Sequence, residues 1–369
     1  MRRALAAVVA GLVFASPALA APPQPAAKAY LVENGATGEV LASHRADDPV
    51  PVASLTKLMT VLVALERAEL DDLVVTPPSA TAIGESTIHL RAGERIAVRD
   101  LVEAALIQSA NDAAWALAAH VGNGDVKAFV RMMNAKARTY GLRATHFVRP
   151  DGLDVPGHVS SARDVTLLAR IAMRNTTIRA IVDDRTAAIA GGRRLHTWND
   201  LLGSFPGLIG VKTGHTAAAG WSQVAAVRGP GFVLYATLLG GPTRAQRNEH
   251  LAALLRWGLS QYASVAVVDR SRVYARAEVG YGREAAPVVA ARTIVRPVRV
   301  TRGLREQVVA PTALELPVRK GQQVGSVRVF DGERLVAESP LVASRAVAKP
   351  GFGDRVGWYA RRTIGKLWP

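Results

Sequence analysis

The stretches of this sequence that favour extended structure lie far apart along the chain, and that separation constrains the fold more than any other feature. Residues 29–32 and 39–43 are short β-prone runs around Asn34-Gly35-Ala36-Thr37-Gly38, a hairpin signal with glycine where a positive φ is needed. Within the first 260 residues, comparable runs return only at 210–212, 222–227 and 231–239, divided by glycine-containing turns. Between these two groups the pattern is helical. Leu58, Val61, Leu62 and Leu65 recur at spacings of three and four. Residues 100–121 are apolar and helix-prone but are interrupted by Gln108-Ser109-Ala110-Asn111-Asp112. Residues 129–140 form another amphipathic run ending at Gly141, and Ser161-Ala162-Arg163-Asp164 reads as a capping box for a helix over 165–174. A last helix is expected over 243–259. The early and late strands are therefore expected to share a sheet, giving one α+β domain with an inserted helical region.

The 369 residues and 49% hydrophobic content suit a packed chain of two domains. The first twenty residues have the layout of a secretory leader: Arg2-Arg3, an apolar core over 5–14, and the small-x-small site Ala18-Leu19-Ala20 before Ala21. An ordinary basic start accounts for the arginine pair better than a twin-arginine export signal. Residues 21–28 are a proline-containing lead-in. The catalytic domain is expected to occupy 29–262. After Ser264 the runs become short and β-branched, with Pro and Gly in and between them, so 263–348 is expected to be a small all-β, sandwich-like domain. Residues 349–369 follow the Lys349-Pro350-Gly351 break. On a helical wheel Phe352, Val356, Tyr359, Thr363 and Leu367 share a face flanked by Arg355, Arg362 and Lys366, with Trp358 and Trp368 nearby. Such a helix suits an anionic membrane surface, through residues 351–368; the alternative is a terminal helix docked on its own domain.

Net charge is +16, and from Val265 onward 19 Lys and Arg stand against 9 Asp and Glu. In an exported protein this excess meets anionic lipid and wall polymer before nucleic acid, and nothing in the chain resembles a nucleic-acid-binding module. The absence of cysteine excludes thiol catalysis and thiolate metal sites. The eight histidines show no His-Glu-x-x-His or similar ligand spacing, so no metal or cofactor is expected.

Three polar clusters then carry the chemistry: Ser54-Leu55-Thr56-Lys57, Ser109-Ala110-Asn111 and Lys212-Thr213-Gly214. A spacing of three on a helix puts the Ser54 hydroxyl and Lys57 amine on one face, where a lysine disfavoured as a cation can take the serine proton. Ser54 at the helix start also lies at the positive end of the dipole, and its N–H is a candidate oxyanion donor. Taken singly, Ser54 reads equally as a cap with a solvated lysine, and Ser109 and Asn111 as the start of a second helix. As partners, Ser109 offers proton shuttling, Asn111 an amide for a peptide carbonyl, Lys212 a cation for an anionic substrate end, and Gly214 room for a peptide beside the strand.

Together the clusters resemble those of the low-molecular-mass penicillin-binding proteins, the D-alanyl-D-alanine carboxypeptidases of the penicillin-binding protein 5 type. The likeness runs through Ala53-Ser54-Leu55-Thr56-Lys57-Leu58-Met59-Thr60, Gln108-Ser109-Ala110-Asn111-Asp112-Ala113-Ala114 and Gly210-Val211-Lys212-Thr213-Gly214-His215-Thr216, and takes in Pro150-Asp151-Gly152-Leu153-Asp154 and Trp257-Gly258. It implies a β-lactamase/transpeptidase-like catalytic domain, an antiparallel sheet with helices and a helical insertion, at the periplasmic side of the bacterial cytoplasmic membrane. It implies removal of the terminal D-alanine from a peptidoglycan stem pentapeptide, with β-lactams as covalent inhibitors. Ser54 would be acylated with Lys57 as base, Ser109 would protonate the leaving D-alanine and Asn111 would bind substrate backbone. Lys212, Thr213 and Thr216 would face the terminal carboxylate, His215 would lend its N–H to the oxyanion hole, and an arginine, Arg247 or else Arg244, would complete carboxylate binding. Ala110 stands where relatives often have glycine, Ile209 where an acid is common, and Arg149 where asparagine is expected. A DD-endopeptidase or transpeptidase on the same scaffold is the alternative. A β-lactamase of the kind that activates its water with a glutamate is disfavoured, because no glutamate occurs between Asn111 and Lys212.

Overall fold

The fold is given by a computed structural model that describes residues 5–12 and 20–367. It divides into two compact units, residues 20–260 and a second formed by residues 261 onward together with the N-terminal segment.

In the first unit the early hairpin, β1 (Ala29–Asn34) and β2 (Glu39–His44), joins the late strands β3 (Leu208–Thr216), β4 (Gly220–Gly229) and β5 (Phe232–Gly241) in one antiparallel sheet, as expected from their separation in sequence. The spatial order is β2-β1-β5-β4-β3, with Leu31 opposite Thr237 and Lys212 opposite Val224. The hairpin turn uses Gly38 at φ 74°. The order leaves β3, which carries Lys212 and Thr213, at an edge of the sheet.

Helices cover both faces. The central helix α1 (Lys57–Leu65) is buried from Lys57 to Ala64, which accounts for its near-continuous apolar sequence. It packs among α2 (Asn111–Val121), α3 (Val126–Thr139) and α4 (Ala162–Ala172). Ser161 caps α4 by accepting the Asp164 N–H at 3.1 Å. The Asp164 carboxylate does not reach back to close a box. It accepts instead from the Ala144 N–H and the Thr145 hydroxyl, both at 2.7 Å, which ties a neighbouring loop to the helix start. On the other face α5 (Arg244–Ser260) lies on β5, β4 and β1. Gly258 makes that contact possible, since a Cβ there would meet Leu234 Cδ2 at 2.6 Å and Val32 Cγ1 at 3.0 Å.

Up to the terminal helix, the second unit is all-β. Its larger sheet has the order Leu5–Leu12, Leu304–Pro311, Gln323–Asp331, Arg334–Ala343, Ala286–Ala290, Val273–Ala277, and a two-stranded ribbon pairs Tyr262–Val268 with Ile294–Arg299. Val267, Val268, Ile294 and Val298 of the ribbon share one core with Val308, Val327, Val329 and Leu341 of the sheet. Residues 5–12, whose apolar character suits a leader, lie here as a strand along the Leu304–Pro311 edge. The helix Phe352–Leu367 closes the described chain. Trp358 meets Tyr281 edge-to-face at 5.5 Å between ring centroids, while Phe352, Val356 and Tyr359 are 78%, 52% and 57% exposed. Trp368 lies outside the described residues.

Candidate active site

Ser54 lies in a 3-10 turn, Ala53–Thr56, that runs into α1. The tighter turn nearly eclipses positions three apart, so Ser54 and Lys57 stand directly in line. Ala53 enters that turn at φ 49°, a conformation that residues with a Cβ rarely adopt. The Lys57 Nζ is fully buried and makes three contacts: Ser54 Oγ at 2.8 Å, Asn111 Oδ1 at 2.6 Å and the Asp151 carbonyl at 2.8 Å. Two of these partners are carbonyl oxygens with no proton to give. When Lys57 is neutral its N–H groups serve those two, and its lone pair faces the Ser54 hydroxyl. Burial lowers the Lys57 pKa to about 8, against a raising influence first from Asp151 and then from Glu85.

Asp151 is buried and its carboxylate is held by Arg149, Nε to Oδ1 at 2.5 Å and Nη2 to Oδ2 at 2.7 Å. Its charge is thus directed at the guanidinium while its carbonyl receives Lys57. Arg149 also lies over the Trp115 ring at 5.5 Å. Thr56 donates to or accepts from His158 Nε2 at 2.8 Å, and His158 Nδ1 accepts the Val148 N–H at 3.1 Å. The Val148 bond requires an unprotonated Nδ1, so Nε2 carries the proton and donates to Thr56 Oγ1. Burial lowers the His158 pKa to about 4. Thr56 is in turn pressed close to Gly152, where a Cβ would lie 2.0 Å from the Ala53 carbonyl oxygen and 2.8 Å from Thr56 Oγ1.

The second cluster is reached through an unusual helix end. The helix Val98–Glu103 widens into a π-turn over Ala104–Gln108 and stops at Ser109, whose φ of 65° reverses the chain before α2. Asn111 is the first residue of α2, so its side chain projects from the helix start, and its Nδ2 donates to the Gly84 carbonyl at 3.0 Å. The neighbouring Asp112 accepts the Ile88 and Leu90 N–H groups at 3.1 Å, which fastens residues 84–90 against this helix.

From the edge strand, Lys212 Nζ donates to Ser109 Oγ at 2.9 Å and to the Thr213 carbonyl at 3.0 Å. Burial, with Lys57 and Arg247 adding to it, holds its pKa well below the usual lysine value. Lys212 thus meets Ser109 directly, rather than standing free for an anion. Gly214 is needed for a different approach from the one anticipated: a Cβ there would come to 3.0 Å from Ser54 N and 3.1 Å from Ala53 Cβ, so the glycine lets the strand press against the nucleophile turn. The Thr216 hydroxyl is already engaged, donating to Asp154 at 2.6 Å and accepting the Ala219 N–H at 3.1 Å. The exposed His215 ring stacks on Trp221 with centroids 4.0 Å apart.

A cavity of about 190 Å³ opens on these groups, lined among others by Ser54, Ser109, Asn111, Thr213, Glu85 and Trp198. Both candidate arginines reach it. Arg247 is buried over the Trp221 ring at 5.7 Å, and burial lowers its pKa to about 10. Arg244 is more exposed, lies over Trp198 at 5.2 Å and pairs bidentately with Asp200, its Nε at 2.7 Å. Asp200 also receives Asn248 Nδ2 at 2.7 Å and the Arg247 Nη2 at 3.4 Å. Glu85, Trp198, Asp200, Arg149 and His158 were not singled out by sequence as parts of this site. They lie between or outside the motifs, and only Arg149 carried a signal, as a departure from the family pattern.

Residues 16–243 match the family described as D-alanyl-D-alanine carboxypeptidase, and residues 262–349 match the C-terminal domain of penicillin-binding protein 5. The chain belongs to the D-alanyl-D-alanine carboxypeptidase family. This carboxypeptidase is 31% identical over 351 residues to D-alanyl-D-alanine carboxypeptidase DacC of Escherichia coli, covering 89% of the chain and 86% of the relative. It is 28% identical over 356 residues to DacF of Bacillus subtilis, covering 92% and 89%. Among solved structures, penicillin binding protein 5 from Haemophilus influenzae aligns at a TM-score of 0.65 with 26% identity, over 89% of this chain and all of that one. A DD-transpeptidase from Streptomyces aligns at 0.62 with 31% identity, over 65% of this chain and all of that one. The carboxypeptidase is a serine-type hydrolase.

Proposed function

We propose that this enzyme removes the terminal D-alanine from peptidoglycan pentapeptides through an acyl-enzyme on Ser54. The observation that carries the residue assignment is the Lys57 amine, buried and confined between two carbonyl oxygens and the Ser54 hydroxyl. Lys57 takes the Ser54 proton as Oγ attacks the carbonyl of the penultimate D-alanine. The Ser54 and His215 N–H groups receive the oxyanion, an arrangement favoured by the close fit of Gly214 to the Ser54 turn. Ser109, held by Lys212, passes a proton to the departing amine, and Asn111 holds the peptide backbone. Arg247 is the better candidate for the terminal carboxylate: it is buried at the cavity, its bond to Asp200 is long and its nearer partner is the neutral Asn248 amide, whereas Arg244 is already paired bidentately with a carboxylate. Water then releases the shortened peptide. β-Lactams acylate the same serine.

Incubation with a peptide ending in D-Ala-D-Ala, with mass detection, is expected to show loss of one alanine. Ser54→Ala is expected to abolish both this release and labelling by a fluorescent penicillin; survival of both would remove Ser54 as nucleophile. Because no glutamate lies between Asn111 and Lys212, the penicilloyl enzyme is expected to be long-lived, and rapid turnover of benzylpenicillin would contradict that. The likeness to a DD-transpeptidase favours a second reading in which an amine replaces water as acceptor, and adding an acceptor amine to the same assay distinguishes the two.

The leader-like residues 1–20 support export, which N-terminal sequencing of the mature protein at Ala21 would test. In that case the strand at 5–12 is absent from the working enzyme. The exposed Phe352, Val356 and Tyr359, with the exposed Arg355 and Arg361 near them, support peripheral attachment of the terminal helix to an anionic membrane. Among the described residues no helix is long and apolar enough to cross a membrane. The catalytic domain is taken as 29–262, the β domain as 263–348 and the anchor as 349–369.

A further inference from the structure

The active-site cavity is electrically lopsided. It is lined by two guanidinium groups, of Arg244 and Arg247, and by a single carboxylate, that of Glu85. The arginines are compensated by Asp200. Glu85 is not: among the described residues no hydrogen bond or ion pair engages its carboxylate, and the residue is exposed.

Its position is nevertheless built rather than loose. Glu85 sits between Gly84, whose carbonyl accepts Asn111 Nδ2 at 3.0 Å, and Ser86, whose carbonyl accepts the Asn111 N–H at 2.7 Å and whose hydroxyl donates to the Gln108 carbonyl at 2.8 Å. Gln108 Nε2 returns a bond to the Thr87 carbonyl at 2.8 Å. Between these fixed points Glu85 adopts φ 66°, in the region that residues with a Cβ avoid. Ala53 and Ser109, which flank the reacting groups, are held in the same region. Glu85 thus stands on the segment that Asn111 ties beside Lys57, whereas Arg244 and Arg247 lie over Trp198 and Trp221.

We propose that Glu85 is a specificity residue that receives a side-chain ammonium group on the residue preceding the D-Ala-D-Ala pair. The inference rests on the carboxypeptidase reading. A peptide whose backbone is held by Asn111 carries that preceding residue past Gly84 and Glu85, and an amine on a side chain of lysine length reaches the carboxylate. The terminal carboxylate lies at the opposite pole, with the arginines. The substrate class is thus a stem peptide with a free basic amine, oriented by both of its charges.

Two peptides that differ only in that charge test it: Nα-acetyl-Lys-D-Ala-D-Ala and its Nα,Nε-diacetyl counterpart, at pH 7 and low ionic strength, with active enzyme counted by benzylpenicillin labelling. The wild-type kcat/KM is expected to favour the free amine by about fivefold, the size of a partly exposed ion pair. Glu85→Gln is expected to reduce the preference to less than about twofold, and 0.5 M salt to weaken it in the wild type. The ratio within one enzyme cancels any general damage to folding or to Lys57. Equal use of both peptides by the wild type would overturn the proposal and leave the carboxypeptidase standing. A preference unchanged in Glu85→Gln would also overturn it, assigning Glu85 only to the surroundings of Lys57. Release of D-alanine from neither peptide by enzyme that still labels with penicillin would overturn the carboxypeptidase reading, and this inference with it.

Discussion

Lys57 is buried with no carboxylate in direct contact, and that arrangement sets the pH behaviour of the reaction. The nearest acid, Asp151, spends its charge on Arg149 and offers Lys57 only a carbonyl. The amine must be neutral to accept the serine proton, and its pKa is held at about 8. The acylation rate with benzylpenicillin is therefore expected to rise about tenfold per pH unit below 8 and to level above it, measured by stopped-flow or by timed labelling. Lys57→Arg keeps the positive charge at every accessible pH, so it is expected to lose at least about 10³-fold in acylation with no recovery at high pH. Arg149→Ala leaves the Asp151 carboxylate buried without its cation. Because Arg149 is itself partly exposed, the expected loss in thermal or denaturant unfolding is about 2 kcal/mol, below that of a fully buried pair.

At the scale of elements, the turn that carries the nucleophile depends on a histidine far away in sequence. His158 joins the Val148 N–H to the Thr56 hydroxyl and must remain neutral to accept the first while donating to the second. Its pKa is depressed to about 4 in the folded chain, against 6.5 when unfolded. Between those values the unfolded state holds the extra proton. The stability associated with His158 is thus complete above pH 6.5 and is lost as pH falls towards 4, to a total of about 3 kcal/mol. His158→Gln is expected to flatten this part of the stability–pH curve relative to wild type, in denaturant unfolding from pH 7 to 4. Such pairings explain what was legible in the sequence and what was not. The bracketing strands, the capped helix at Ser161 and the three clusters all follow from local pattern, and the structure joins them as that pattern suggests. Lys57, Ser54 and Asn111 were legible because motif residues meet one another. The His158–Thr56 and Arg149–Asp151 contacts were not, since side-chain partners leave no periodic trace. The π-turn and the positive φ at Ser109 were likewise hidden, because a serine in a left-handed conformation is imposed by its surroundings. The Thr216 contact was hidden for the same reason: its partner Asp154 lies 62 residues away.

Across the whole molecule, the two units hold themselves together by different means. The catalytic unit has a deep core around α1, whereas the β unit relies on thinner packing and on one buried acid. Glu306 is buried in the strand Leu304–Pro311, and Arg272 grips it with two bonds at 2.9 and 3.0 Å. Arg272→Ala is expected to destabilise the β unit by about 2 kcal/mol, seen as an earlier melting step in calorimetry, while penicillin labelling at 25 °C persists. Ending the chain at Pro350 is expected to shift the protein from membrane to soluble fractions and to leave the kcat/KM for a soluble peptide unchanged. Unaltered partition would remove the anchor.

β3 lies at the edge of the sheet, yet it is buried along its length except at His215, so what it leaves beside the cavity suits one extended peptide rather than the sheet of a second copy. Free and penicilloyl enzyme are therefore expected to scatter light alike in concentrated solution. The outward amides of residues 212–216 should also exchange hydrogen more slowly once the serine is acylated.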